Sequence, residues 1–114
     1  MIDYITRIRD ENEPAIRDLV EREFQRGADM AQSRRDLGQS RWDSVGCYFG
    51  ESDLIAYVRQ VGRFDAELGR DNIAVIVRRV IRSMARAGII ESCIGSAING
   101  GERREWFLSD GPVG

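Results

Sequence analysis

The stretch that decides the fold runs from Asp71 to Asp110 and reads DNIAVIVRRVIRSMARAGIIESCIGSAINGGERREWFLSD. Its first part predicts a helix over 71–87, with Asp71 as the N-cap and Gly88 as the left-handed residue just past the C-terminus. At about 100° per residue, six apolar side chains share one side of this helix. They are Ile73, Ile76, Val77, Val80, Met84 and Ala87.

The other side of this helix is basic. We call it the arginine face, and its members are Arg78, Arg79, Arg82 and Arg86, with Asn72 and Val75 among them. An apolar segment follows Gly88 and leads to Asn99-Gly100-Gly101, after which come Arg103 and Arg104. Asn and Gly tolerate the positive φ that a tight hairpin tip requires. The second part of the stretch therefore predicts a β-hairpin with a basic tip.

The composition describes one small globular domain. The chain has 114 residues, of which 42% are hydrophobic and 32% charged. No run of about 18 uncharged apolar residues occurs, and Met1-Ile2-Asp3-Tyr4 lacks the basic start of a signal peptide, so we expect no membrane partner. Cys47 and Cys93 are too few for a disulfide scaffold. We expect two free thiols in a reducing, cytoplasmic compartment.

All 17 basic residues are arginine, and the chain has neither lysine nor histidine. A codon bias toward GC-rich DNA produces this composition by itself, but the consequence holds either way. Every positive charge is a planar fork suited to phosphate or to guanine edges. The absence of histidine removes the usual general base and the commonest metal ligand. We therefore expect no enzyme activity, no catalytic residues, no metal and no cofactor.

The charge is unevenly distributed along a chain whose net charge is −2. Residues 1–33 carry eight acids and five arginines, whereas residues 70–104 carry seven arginines and three acids. A positive face can therefore exist on a mildly acidic protein.

The helices and the strand before Asp71 are predicted from the spacing of apolar residues and from the residues that interrupt it. Residues 1–13 suggest an N-terminal arm or a short helix, ended by a break at 10–14 with Pro14 in the first turn of the next helix. A helical stripe covers 13–31, a polar stretch covers 32–44, and a short strand is expected over 45–49. Ser52 is expected to cap a second helix from Asp53 to Gly62, which a connecting segment over 62–70 joins to the arginine helix. Its inward side chains would be Leu54, Ile55, Val58 and Val61.

This order of elements resembles the winged helix-turn-helix superfamily over residues 14–110, with a flexible tail at 111–114. The segment RRVIRSMARAGIIE at 78–91 carries most of the resemblance, because it is a basic amphipathic run closed by a small residue, a glycine and two aliphatic residues. The resemblance implies an α+β fold with three main helices, a short strand and a C-terminal two-stranded wing. It also implies that the helix at 71–87 enters the DNA major groove and that the tip at 99–104 serves as the wing.

The resemblance implies a set of DNA-binding residues. In the helix, these would be Arg70, Asn72, Val75, Arg78 and Arg79 at base edges and Arg82 at phosphates. At the wing, they would be Arg103 and Arg104. Each has a plainer interpretation, since a helix face of arginines can be solvated and paired within the chain, and charges on an edge strand can serve solubility. No pocket for a small-molecule ligand is apparent from the sequence.

Two functions remain open at this point. The first is a sequence-specific double-stranded DNA-binding protein, a transcriptional regulator, whose acidic first helix forms a homodimer interface. The second is a winged-helix module for protein–protein interaction or assembly that does not bind DNA. The negative net charge, the long link between the helices and the many Arg/Asp/Glu pairs favour the second. The first helix would equally fit simple packing within its own domain.

Overall fold

Three helices and a three-stranded antiparallel sheet make up the computed structural model, which describes residues 3–38, 48–64, 68–96 and 100–109. The elements in chain order are α1 (Tyr4–Asp36), β1 (Phe49–Gly50), α2 (Glu51–Val61), α3 (Gly69–Arg86), β2 (Ile90–Ser96) and β3 (Glu102–Leu108). The strand order is β1-β3-β2. We expected a short strand and a C-terminal two-stranded wing. In the structure the short strand and the two hairpin strands form one sheet of three strands, because β1 pairs with β3, Phe49 opposite Trp106 and Gly50 opposite Glu105.

Helix α1 is a single helix of 33 residues, about 50 Å long. The break predicted at 10–14 is wrong, because the helix continues through Pro14. Proline lacks an N–H, so the carbonyl oxygen of Asp10 receives no helical hydrogen bond from it. Both residues are exposed, so this gap in the helical hydrogen bonds lies at the surface and not in the core. The boundary expected between residues 13 and 14 therefore falls inside a helix.

Helix α2 begins earlier than predicted. Its N-cap is Gly50 and not Ser52, and the Gly50 N–H donates to Oδ2 of Asp53 over 2.9 Å. Leu54 and Val58 are buried as expected, but Val61 is 50% exposed, which contradicts its inward placement. Val61 is the last residue of the helix, beyond the reach of the core.

Helix α3 also begins earlier than predicted but ends as expected. Its N-cap is Leu68 and not Asp71, whose carboxylate instead lies in the first turn and complements the positive end of the helix dipole. At the other end Gly88 has φ +78°. The Gly88 N–H donates to Ala85 and the Ile89 N–H donates to Met84, which is the Schellman pattern of helix ends. This turn sets the direction in which β2 leaves α3.

The core lies between the three helices and the inner face of the sheet. Its buried apolar residues are Ile16, Val20, Phe24, Phe49, Leu54, Val58, Leu68, Ile73, Ile76, Val77, Val80, Ile81, Met84 and Ile90. The rings of Phe24 and Phe49 meet edge to face with their centroids 5.3 Å apart, which joins α1 to β1. The apolar side of α3 is confirmed apart from Ala87, which is exposed.

Several predictions fall on residues outside the described ranges. They concern the strand residues 45–47, which include Cys47, residues 39–44 of the polar stretch, the tip residue Asn99 and the tail at 111–114. At the tip, Gly100 has φ +87°, the conformation expected of a hairpin turn. Across the described residues, none of the helices is long and apolar enough to cross a membrane.

Candidate nucleic-acid interface

Helix α3 places its arginine face opposite the core. Ile73, Ile76, Val77, Val80, Ile81 and Met84 are buried on the inner side. Arg78, Arg82 and Arg86 are exposed, whereas Arg79 is half-buried toward α1. Of the other predicted contact residues in or beside the helix, Arg70 is exposed, and Asn72 and Val75 are half-buried. The apolar and basic sides therefore separate as predicted, and the contacts of each arginine decide what this surface can do.

The first half of α1 flanks the arginine face on one side. Nη1 of Arg79 lies 3.1 Å from Oδ1 of Asp10 and 3.1 Å from Oε1 of Glu13. One helical turn or more away, Nε of Arg9 donates to Oδ1 of Asn72 over 2.9 Å, and the Asn72 amide donates to the Leu68 carbonyl. Arg79 and Asn72 were predicted to contact bases. Here both are held by α1 or by their own helix.

A further contact between the same two helices lies one turn further along both of them. Nη1 of Arg17 donates to Oγ of Ser83 over 3.2 Å, and Nε of Arg17 pairs with Glu21. The contacts occur in the same order along both helices, so α1 and α3 run in the same direction past each other. We call these contacts the α1–α3 polar contacts, formed by Arg9, Asp10, Glu13 and Arg17 of α1 with Asn72, Arg79 and Ser83 of α3.

The first turn of α2 flanks the arginine face on the opposite side. Oε1 of Glu51 accepts a hydrogen bond from Nε of Arg78 over 2.6 Å, and the two side chains are 45% and 46% exposed. Acids in the first turn of a helix are stabilised by its dipole, which explains why α2 begins with them. Arg78 is therefore outward-facing but paired.

Arg103 does not project from the hairpin tip as predicted. Its Nη2 donates to Oδ2 of Asp53 over 2.8 Å and lies 3.7 Å from Glu105. The guanidinium group lies across Gly50, where an added Cβ would come within 2.9 Å of Nη1. The hydrogen bond to Asp53 raises the pKa of Arg103. Arg103 connects β3 to α2.

Arg104 lies on the opposite face of the hairpin from Arg103, because side chains alternate along a strand. It is exposed, and its Nη1 donates to Oγ of Ser92 over 2.7 Å. Ile94, directly across the strand pair from Arg104, is 57% exposed. Of the two predicted wing residues, Arg104 is the one with its charge directed to solvent.

The continuous cationic surface that the sequence indicated is divided by carboxylates. Arg78, Arg79 and Arg103 each pair with an acid of a neighbouring element. By contrast, no ion pair within the described ranges involves Arg70, Arg82 or Arg86. Arginines without an ion pair in the described ranges thus lie at both ends of α3 and at Arg104. Between the two ends of α3, Arg78 and Arg79 are paired with carboxylates.

Sequence reasoning missed the acids that pair with the arginines. Asp10, Glu13, Glu51 and Asp53 lie on α1 and α2, far from the arginine helix in the chain. One signal was present, since Asp10, Glu13 and Arg17 share one side of a helix at spacings of three and four. That spacing identifies a polar stripe, but it does not say which other helix the stripe meets.

The site contains no metal-binding cluster, because among the residues with described positions no group of three or more His, Cys, Asp or Glu side chains could hold a metal ion. Its chemistry is that of guanidinium groups with exchangeable anionic partners, which suits binding of phosphates or carboxylates. Comparisons with protein-family models, with curated proteins and with solved structures found no match to this chain.

Proposed function

We propose that this protein binds double-stranded DNA as a winged helix, with α3 in the major groove and the β2–β3 hairpin as the wing. The order helix, strand, helix, helix, strand, strand supports this, and so does a sheet in which the short strand pairs with the last one. The observation that carries the proposal is the outer side of α3, where Arg82 and Arg86 are exposed and have no carboxylate partner among the described residues.

The paired arginines are compatible with this function because their ion pairs lie at the surface. The Arg78–Glu51 pair is nearly half-exposed on both sides. Such pairs are worth about 0–1 kcal/mol each, and they weaken further in salt. A DNA phosphate can therefore replace a carboxylate on Arg78 at little cost. In the proposed complex, the residues near base edges are Arg78 and Val75. Those near phosphates are Arg82, Arg86 and Arg104.

We further propose that the protein acts as a transcriptional regulator by occupying an operator as a homodimer. A single small module gains affinity when a second copy binds beside it. Two copies related by a two-fold axis would contact half-sites about 34–36 Å apart. Apolar side chains at both ends of α1 are exposed, namely Tyr4, Ile5 and Leu37, and they offer contact area for a second copy.

A selection from genomic fragments tests the proposal. The protein is mixed with a fragment library at about 50 mM and 200 mM salt, and bound DNA is sequenced. Phosphate binding predicts an affinity that falls with a slope of about −0.9 per neutralised phosphate in a plot of log affinity against log salt. Enrichment of a shared sequence at both salt concentrations supports sequence-specific binding. Absence of DNA binding at the lower salt concentration would reject it.

The second candidate is a protein-interaction module, and one observation favours it. Carboxylates alternate with guanidinium groups around α3, so Glu51, Asp53, Asp10 and Glu13 give the surface mixed charge. Surfaces of mixed charge suit a protein partner with the complementary arrangement, whereas DNA offers only negative charge. Affinity for a protein partner that changes little with salt, together with no DNA affinity, would establish this candidate.

A further inference from the structure

If the protein binds DNA as proposed, Arg79 can pair either with carboxylates of α1 or with a DNA phosphate. The inference drawn from this rests on the proposed function. Its guanidinium group lies on the arginine face, 42% exposed, one residue from Arg78. Asp10 and Glu13 of α1 each lie 3.1 Å from the same Nη1 atom. A duplex in contact with α3 would bring phosphates to the same guanidinium group. We propose that Asp10 and Glu13 restrain DNA binding by occupying Arg79 in the free protein.

The two flanks of α3 differ in what their carboxylates do for the fold. On the α2 side, Glu51 pairs with Arg78 but also lies in the first turn of its helix, where the dipole stabilises an acid without any ligand. On the α1 side, the side chains of Asp10 and Glu13 have no hydrogen-bond or ion-pair partner other than Arg79 within the described part of the chain. Asp10 is 59% exposed, so no burial requires its charge to be paired. The contact with Arg79 is therefore the one interaction that these two carboxylates make in the described part of the chain.

The geometry makes the contact exchangeable and not permanent. All three side chains lie at the surface, and neither carboxylate is buried. The backbone beneath them is fixed by neighbouring anchors, because Arg9 bonds Asn72 and Arg17 bonds Ser83. Release of Arg79 needs only side-chain rotation, with no movement of α1 away from α3. The restraint is thus an electrostatic one, set by salt and by the local concentration of phosphate.

The test removes the two negative charges and keeps the hydrogen-bonding shape. Asp10→Asn/Glu13→Gln is compared with wild type by fluorescence polarisation on a labelled duplex of about 20 base pairs, two helical turns. We expect the variant to bind about three- to tenfold more tightly, the range of two lost surface pairs. Its salt slope should stay close to that of wild type, since Arg79 contacts a phosphate in both complexes.

Two controls separate this contact from the general effect of charge. Asp29→Asn/Asp36→Asn removes the same charge from the other half of α1, where the partners are the amides of Gln25 and Gln32. We expect that variant to show a smaller gain and an unchanged salt slope. The second control places Asp10→Asn/Glu13→Gln in an Arg79→Ala background, where the gain should disappear, as a double-mutant cycle requires.

The outcomes distinguish this inference from the proposed function. If wild type binds DNA and Asp10→Asn/Glu13→Gln matches the Asp29→Asn/Asp36→Asn control, competition for Arg79 is refuted while DNA binding stands. If neither wild type nor Asp10→Asn/Glu13→Gln binds DNA at low salt, both are refuted. DNA binding by the variant alone would support both, with the restraint then strong enough to hide the activity. Circular dichroism confirms that each variant is folded.

Discussion

Asp53 and Arg103 join the N-terminus of α2 to the middle strand of the sheet. Oδ2 of Asp53 accepts a hydrogen bond from Nη2 of Arg103 over 2.8 Å, and the same oxygen accepts the Gly50 N–H over 2.9 Å. One carboxylate oxygen therefore both caps a helix and fixes a side chain of β3. The contact explains why a residue predicted to reach DNA from the hairpin tip lies against the fold instead.

Replacement of Asp53 tests this double role. Asp53→Ala removes the cap acceptor and the partner of Arg103, and we expect it to lower the free energy of unfolding by about 1 kcal/mol. Asp53→Asn keeps an oxygen that can accept the Gly50 N–H, so its loss should be clearly smaller. Urea denaturation measures both. Equal losses for the two variants would mean that the cap contributes little.

Removal of the unpaired arginines should change the salt dependence of DNA binding. For Arg82→Ala/Arg86→Ala we expect the salt slope to become shallower by about 1.8, which is about 0.9 for each lost phosphate contact. The matched control is Arg59→Ala/Arg63→Ala, which removes two exposed arginines in and just after α2. Polarisation titrations over a range of salt concentrations measure the slope. The assignment fails if both double variants give the same slope.

Arg78 should affect sequence preference and not only affinity. It lies in the middle of α3 on the outward side, and a bidentate contact to guanine is worth about 1–3 kcal/mol. We expect Arg78→Ala to weaken binding to a selected duplex by that amount and binding to a mixed-sequence duplex by much less. Titration against the two duplexes measures the difference. An equal loss on both duplexes would place Arg78 at a phosphate.

Gly88 should resist replacement because of its backbone conformation alone. Its φ is +78°, and an added Cβ would meet no atom within 4 Å. Gly88→Ala therefore costs only the strain of the left-handed region, about 1–2 kcal/mol. Asparagine adopts this region more readily, so Gly88→Asn should cost less. Thermal unfolding of both variants checks the order. A larger loss with asparagine would show that packing, not φ, limits this position.

Two valines of α2 allow a matched comparison of a core position with a surface position. Val58 is fully buried and Val61 is 50% exposed. Val58→Ala should destabilise the fold by roughly 2 kcal/mol, through lost apolar burial and the cavity left behind. Val61→Ala should change stability by less than about 0.5 kcal/mol. Chemical denaturation measures the two free energies of unfolding. Similar values would indicate that Val61 is covered in the protein, for instance by a second copy.

The sequence predicted the inner half of the fold better than its surface. The apolar side of α3 and the turn at Gly88 follow from helical spacing and from one glycine, which are local properties. The pairing of Arg79 with α1 depends on how two distant helices pack, which no local pattern contains. Pro14 misled the prediction because a proline typical of a first turn also fits an exposed position inside a long helix.

The α1–α3 polar contacts have a consequence for how uniquely the two helices are aligned. A slip of one helix past another by a turn, about 5.4 Å, moves its ridges of side chains into the next grooves of its neighbour. The bonds of Arg9 to Asn72, Glu13 to Arg79 and Arg17 to Ser83 would all break in the same slip. The α1–α3 polar contacts therefore favour one alignment of the two helices over its neighbours one turn away, in addition to the packing of the core.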